Sequence, residues 1–367
     1  MGGHVLARTT IASVALFLGV FAAQAQALDV QLVNHSGRSG DRVYVMLHGG
    51  SSADGKLTND DPKRLSAISG RHFALSSISG GRIFFSYGRP VSPAEPPSSD
   101  TRYDKVELTL PGVANLTAVD FFAIPFRLQT LDSSGDQLGQ LAYTARTNVI
   151  RRALMDVAGP GALVRTREGG FARILSPQLS PQSYPSFTPD IKSMAGKRVI
   201  IRGAFYGTPY QEFVYSGRFA SDGSITLNGT LTTPNGPTTA GKTVAVNGST
   251  LPYAIYTVNG TYTVDGQPAS VGDNNIYSVI YRDLLSGFAW GYMGGRYGND
   301  SANWWGKPPF AAARTTQKPY ATFNEYAAAI YRYSNAYGFS FSDTGPKPVV
   351  VGLNGAATLR ITIMGDG

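Results

Sequence analysis

Tyr103-Asp-Lys-Val-Glu107-Leu-Thr109-Leu110, followed after Pro111-Gly-Val-Ala by Asn115-Leu-Thr117-Ala-Val-Asp120-Phe-Phe-Ala-Ile-Pro125, decides how the chain is read. Tyr103–Leu110 reads as a short strand, and 116–131 as a longer apolar strand region interrupted by Pro125. The short Pro111–Asn115 link joins them. A hairpin centred near Val113 would set Glu107 almost opposite Asp120. Two carboxylates facing each other across a strand pair repel, so folding gains nothing from them. Such a pair suits acid–base chemistry in which one carboxyl keeps its proton. The alternative is that they face opposite sides of the sheet, or pair with Lys105 and Arg127. Asp104 lies three residues from Glu107 and faces the other way in a regular strand.

The same β pattern extends outward. Residues 29–34, 42–47, 72–77 and 82–87 read as short strands, with Gly, Ser and Pro between them. The stretch from Val91 to Thr101, with Pro93, Pro96 and Pro97, is a loop. Further on, 144–157 has helical spacing, with Val149, Leu154 and Val157 on one side. Strands are expected over 197–205 and 212–231, the latter a hairpin around Ser221-Asp222-Gly223. A second hairpin over 253–264 would turn at Asn259-Gly260. Residues 275–287 and 322–336 read as helices, and 358–364 as the last strand. The expected fold class is mainly β with an α/β part: a β-barrel or sandwich packed against a mixed α/β domain, with a groove between.

Residues 1–27 carry an export signal. Arg8 is followed by an apolar run from Ile11 to Ala23 and by Ala25-Gln26-Ala27, a small-x-small cleavage site. Cleavage after Ala27, with Ala25 as the second choice, yields a secreted or periplasmic protein. No later stretch reaches the ~18 apolar residues of a membrane helix, so no membrane contact is expected after processing. The chain has no Cys, which excludes thiol catalysis and Cys metal sites. Its 32 basic and 24 acidic residues are spread along the chain without a Lys/Arg run, so nucleic acid is not an expected partner. Only 15% of residues are charged, while Gly, Tyr, Ser, Thr and Asn abound; such compositions suit exported β-rich proteins that meet sugars.

Several motifs lead nowhere. Gly236-Pro-Thr-Thr-Ala-Gly241-Lys242-Thr243 fits a phosphate-loop pattern, but Val244–Val246 after it reads as strand rather than helix. No Gly-x-Ser-x-Gly elbow occurs. His35, His48 and His72 lack ligand spacing, and neither metal nor organic cofactor is expected.

The run Tyr103–Thr109 and Asn115–Pro125 resembles glycoside hydrolase family 64, β-1,3-glucanases of the thaumatin-like superfamily. Arg173-Ile-Leu-Ser-Pro177 is similar too, as is the end of the chain: a helix over 320–330, then Tyr337-Gly-Phe-Ser-Phe-Ser-Asp343, then a closing strand. The resemblance implies a thaumatin-like β domain from residues 28–143 plus 338–367, and a mixed α/β domain from 144–337. It implies an inverting β-1,3-glucan hydrolase, with Glu107 as general acid and Asp120 as general base. Inversion needs carboxyls roughly 6.5–9.5 Å apart, wider than direct opposition across a ladder. Thr109 and Thr117 match glucan-contacting positions, and Asn115 of the same motif is counted with them. Thr117 and Asp120 share a groove only if a bulge reverses one of them. The Glu107–Asp120 segment has no Trp; all three Trp lie between Trp290 and Trp305. Trp304 and Trp305 are therefore expected to form a groove-side stacking platform, with core packing as the alternative. A monomer acting on β-1,3-glucan polysaccharide is expected. The rival reading is a non-catalytic glucan- or wall-binding protein.

Overall fold

The computed structural model of the chain describes residues 27–257, 260–310 and 323–366. The leader up to Gln26, Asn259 of the expected turn and Tyr320–Thr322 of the expected last helix lie outside the described residues.

Two sheets draw on both ends of the chain. The five-stranded sheet runs in the order Gln137–Ala142, Phe126–Leu131, Thr358–Ile363, Leu28–Asn34, His72–Leu75. Its first and last chain segments, Leu28–Asn34 and Thr358–Ile363, lie side by side in parallel. The six-stranded sheet runs Val350–Gly352, Val113–Leu116, Tyr103–Leu110, Ile78–Tyr87, Val43–His48, Lys63–Arg64. Along Leu28–Asn34 burial alternates, with Leu28, Val30 and Leu32 inward, the period-2 pattern of a strand with one buried face. Phe85 of the six-stranded sheet meets Phe126 of the five-stranded sheet, ring centroids 5.0 Å apart. The two sheets thus share one apolar filling, as expected of a sandwich.

The rest is mixed. A seven-stranded antiparallel sheet is built from Arg198–Phe205, Gln211–Arg218, Ile225–Thr232, Val244–Val246, Tyr262–Val264 and Gln267–Ala269, with Thr239–Ala240 beside Ile225–Thr232. The helix Ile276–Ala289 packs on it. Asn275 caps that helix by accepting from the Tyr277 and Ser278 amides. Its Ile280, Leu284, Leu285 and Phe288 are buried, and Phe288 meets Phe219 at 6.0 Å. A small sheet, Leu163–Arg165, Phe171–Leu175 and Phe121–Phe122, ties this part to the sandwich. The buried apolar residues of both parts form one continuous core.

Three expectations are corrected. The 116–131 region is not one strand: Val113–Leu116, Phe121–Phe122 and Phe126–Leu131 join three different sheets. The break is stabilised by Asp104, whose carboxylate accepts from the Ala123 and Ile124 amides at 2.8 and 3.0 Å, just before Pro125, which has no N–H to offer. The stretch 253–264 is not a hairpin. Leu251–Thr257 is a helix with Leu251, Ala254 and Ile255 buried, an i, i+3, i+4 spacing that marks a helix face. The turn lies later, at Asp265-Gly266, where both residues have positive φ as a two-residue hairpin loop requires. Finally, in the helix Thr147–Met155 the inward residues are Ile150 and Leu154, while Val149 is 43% exposed. The Lys242-Thr243 loop leads into the strand Val244–Val246, so no helix start is there to cradle phosphate.

Candidate active site

On the Tyr103–Leu110 strand, Val106 and Leu108 are buried in the sandwich core, so Lys105, Glu107 and Thr109 share the opposite face. Glu107 stands opposite Asn115 on one side and Arg82 on the other. The expected opposition of Glu107 and Asp120 is therefore wrong. The hairpin closes through the three residues Leu110-Pro111-Gly112, between Thr109 and Val113, centred two residues earlier than expected. Gly112 has φ +147, and a Cβ there would come within 3.0 Å of the Thr109 carbonyl oxygen, so the tight turn depends on glycine. Arg82 Nε lies 3.4 Å from the Glu107 carboxylate, in a pair with 44% and 31% side-chain exposure. The Asn115 side-chain oxygen is buried without a hydrogen-bond partner. Thr109 Oγ1 accepts from the Gly80 amide at 3.1 Å and lines an open cleft of about 610 Å³ with Gly49, Ser51, Ser77, Ser79 and Pro111.

Asp120 reaches the same face by another route. The strand ends at Leu116. Thr117 then bridges to Tyr337, so the parity that called for a bulge no longer applies. The Asp120 carbonyl accepts from the Ser176 amide at 2.9 Å, which anchors the turn. Its carboxylate forms an ion pair with Lys105 through Oδ2 and accepts from Gln178 Nε2 at 3.3 Å through Oδ1. Ser340 Oγ donates to Gln178 Oε1, also at 3.3 Å. Lys105 and Glu107 are two residues apart on one strand face, which sets them about 6.6 Å apart along the strand. Glu107 and Asp120 are thus not opposed across the ladder.

The far side of the site comes from the later part of the chain. Burial raises the Tyr337 hydroxyl above its ordinary range, and the negative charges of Asp343 and Glu107 raise it further, so Tyr337 lies within electrostatic reach of both. Burial likewise pushes Asp343 up, while the Arg282 guanidinium opposes that shift. Arg282 stacks over the Phe341 ring at 5.5 Å. None of Arg82, Gln178, Ser340, Tyr337, Asp343 or Arg282 was assigned a role from sequence. The only signal for the last group was the Tyr337–Asp343 motif, which marks a segment without saying which side chain faces inward.

Other candidates fare differently. Thr117 is buried, its hydroxyl accepting from the Val119 amide. Trp304 is not a stacking platform: it is fully buried, donates Nε1 to the Gly298 carbonyl at 2.8 Å and is stacked on Tyr292. Trp305 is half-buried and packs edge-on against Trp304 at 5.8 Å. Trp290 is buried too, donating to Thr344 and meeting Phe339 at 4.9 Å, so it supports the 339–344 loop from beneath. A loop with no strand or helix period can bury its indoles, and here the free energy of burying large rings prevails. His48 pairs with Asp60 and His72 with Asp29, and no group of three or more potential metal ligands occurs among the described residues.

No protein-family model matches the sequence, and no curated protein is detectably similar to it. The fold nevertheless falls in a defined class: it is that of solved β-1,3-glucanases. A laminaripentaose-producing β-1,3-glucanase in complex with laminaritetraose is 18% identical, with a TM-score of 0.62 over 93% of this chain and 99% of that chain. The β-1,3-glucanase domain of glycoside hydrolase family 64 from Clostridium beijerinckii is 16% identical, with a TM-score of 0.61 over 93% and 98%. A family 64 laminaripentaose-producing enzyme from Paenibacillus barengoltzii is 14% identical, with a TM-score of 0.54 over 93% of this chain and 75% of that one.

Proposed function

We propose that this chain is an exported glycoside hydrolase that cleaves β-1,3-glucan with inversion, Glu107 acting as general acid and Asp120 as general base. The observation that carries the reading is that Asp120 pairs with Lys105, which shares with Glu107 the strand face turned away from the sandwich core. An inverting enzyme needs roughly 6.5–9.5 Å between its carboxyls to admit a water, wider than direct opposition across a ladder, and Glu107 stands opposite Asn115, not Asp120. Glu107 would protonate the glycosidic oxygen as the bond to the anomeric carbon breaks. A water would add to that carbon from the opposite side while Asp120 takes its proton, leaving an inverted hemiacetal. The neighbours support this division of roles. Asp120 is ion-paired with the buried Lys105 ammonium, and the Asn115 side-chain oxygen opposite Glu107, without a hydrogen-bond partner among the described residues, is an acceptor for a carboxylic acid proton. The fold shared with glucanases supports the substrate class.

The test is hydrolysis of laminarin, curdlan, cellulose and mannan, with proton NMR of the first product. Cleavage of the first two, with the new reducing end formed as the α anomer, is expected. Cleavage of cellulose alone, or a β anomer formed first, would overturn the substrate or the stereochemistry. Binding of laminarin without cleavage would favour the non-catalytic reading.

Export rests on the leader sequence. Leu28 opens the first strand, so cleavage after Ala27 would leave the sheet whole; N-terminal sequencing of exported protein should begin at Leu28 or Gln26. The division into a thaumatin-like unit, 28–143 plus 338–367, and a second unit, 144–337, is supported by the chain segments that build the five- and six-stranded sheets. Limited proteolysis that cuts first near 143 and 337 would support it; first cuts inside either unit would count against it.

A further inference from the structure

We propose that Lys105 is a positioning residue for the reaction, engaging one oxygen of Asp120 so that the other is left ionised and free to take a proton from water. The inference rests on the acid–base reading above and extends it to a side chain outside the proposed pair. Lys105 is buried, with 7% side-chain exposure, whereas its partner Asp120 is 33% exposed. A buried ammonium costs several kcal/mol unless it is paired, and a residue needed only to fill this space could be Met. The Lys105 ammonium has one carboxylate partner among the described residues, Asp120 Oδ2. It also lies 5.1 Å from the centre of the Phe121 ring. Arg173 sits 4.9 Å from that ring and 4.0 Å from the Tyr103 ring. Arg173 is itself locked by donating to the carbonyls of Pro97 and Thr101. The lysine is therefore held on a rigid floor and does not sweep the groove.

Charge alternates across the face: the Asp120 carboxylate, the Lys105 ammonium, then Glu107. Without the cation Asp120 would lose its charge partner, while Glu107 would keep Arg82 at 3.4 Å. With it, Oδ2 is engaged and Oδ1, which among the described residues meets only the neutral Gln178 amide, has a lone pair for water. Among the described residues, the charged and titratable groups near Asp120 are Lys105 and Tyr103 from its neighbouring strand and Tyr326 from the helix Glu325–Tyr333, with Arg173 of Phe171–Leu175 over the adjoining Phe121 ring. Burial pushes Tyr103 up to about 12 and Tyr326 further, so both stay neutral in the working range, and Arg173 stays charged.

The experiment compares wild type, Lys105→Met and Lys105→Arg by the pH dependence of kcat/KM on laminarin, and by carboxyl-carbon NMR titration of Asp120. Lys105→Met is expected to move the acid limb to higher pH. At a fixed pH on that flank, activity should fall about tenfold for every pH unit the limb moves, with KM little changed. The Asp120 titration midpoint should rise by about 1 to 3 pH units, and Lys105→Arg should restore both. An activity loss equal at every pH, or an Asp120 midpoint that does not move in a variant with wild-type melting temperature, would overturn the proposal. The titration reads Lys105 even if the protein cleaves no glucan, so failure of the glucanase reading and failure of this inference give different results.

Discussion

The Tyr103–Leu110 strand turns Lys105, Glu107 and Thr109 away from the sandwich core, whereas the Trp290–Trp305 segment turns Trp290 and Trp304 inward and leaves Trp305 half-buried against them. Both segments carry side chains suited to a sugar. In the strand, the two-residue period and the burial of Val106 and Leu108 decide which side chains stay outside. In the second segment no period constrains the rings, and three large indoles gain more from packing than from solvent. A reactive group on a regular element can be placed from its apolar neighbours; an aromatic group in an irregular loop cannot.

The sharpest way to break this contrast is at the carboxyls. Glu107→Gln and Asp120→Asn should each lower laminarin turnover by roughly 10²–10⁴-fold, with melting temperature and glucan binding kept. Azide should rescue Asp120→Ala, giving a glycosyl azide of inverted configuration, and should not rescue Glu107→Ala. Near wild-type rates in both amide variants would remove the acid–base pair. Next in size is Trp304→Ala, expected to cost about 3–5 kcal/mol of stability in chemical denaturation. Trp305→Ala should cost less. A Trp304→Ala protein with unchanged stability and lost glucan affinity would restore the platform that burial argues against.

A third effect separates the two faces of the strand itself. Burial raises Asp104 to about 6 and Asp283 to about 7, against an ordinary value of 3.8. Each holds its proton more tightly folded than unfolded. Their contribution to stability is therefore complete below about pH 4 and is lost as pH rises through about 6 and 7. Denaturation midpoints at pH 4, 5.5 and 7 should fall through these two groups, and Asp283→Asn should flatten part of the decline. An unchanged slope would show that Asp283 does not titrate there. Asp104 faces away from Glu107 as expected, but it is not a silent position. Its carboxylate accepts from three backbone amides, so Asp104→Asn should lower stability first and turnover only through it. The smallest effect expected is at Thr109: Thr109→Val removes one hydroxyl at the cleft and should raise the laminarin KM by roughly 2- to 10-fold, as one hydrogen bond of about 0.5–1.5 kcal/mol would.

The sequence by itself determined the β framework and the faces of its regular strands. Tyr103–Leu110 spans the residues its pattern marks, and the strands near 29–34, 198–205 and 211–232 lie within a residue or two of expectation. Alternation and turn residues are local properties, so local reading suffices for them. Glu107 was legible as a residue of the strand face turned away from the core for the same reason. Tertiary structure decided the rest. The opposition of Glu107 to Asn115 depends on a turn through Leu110-Pro111-Gly112, one short link among several that would satisfy the pattern. Asp120 meets Lys105 because Ser176 anchors its backbone from 56 positions further along, and Asp104 satisfies the amides freed where the strand breaks. The helix at Leu251–Thr257 forms where the Tyr-rich sequence reads equally as strand, because Leu251, Ala254 and Ile255 find a core to enter. Each of these turns on which distant group supplies a hydrogen bond, a charge or a packing surface, and no periodicity within a segment encodes that.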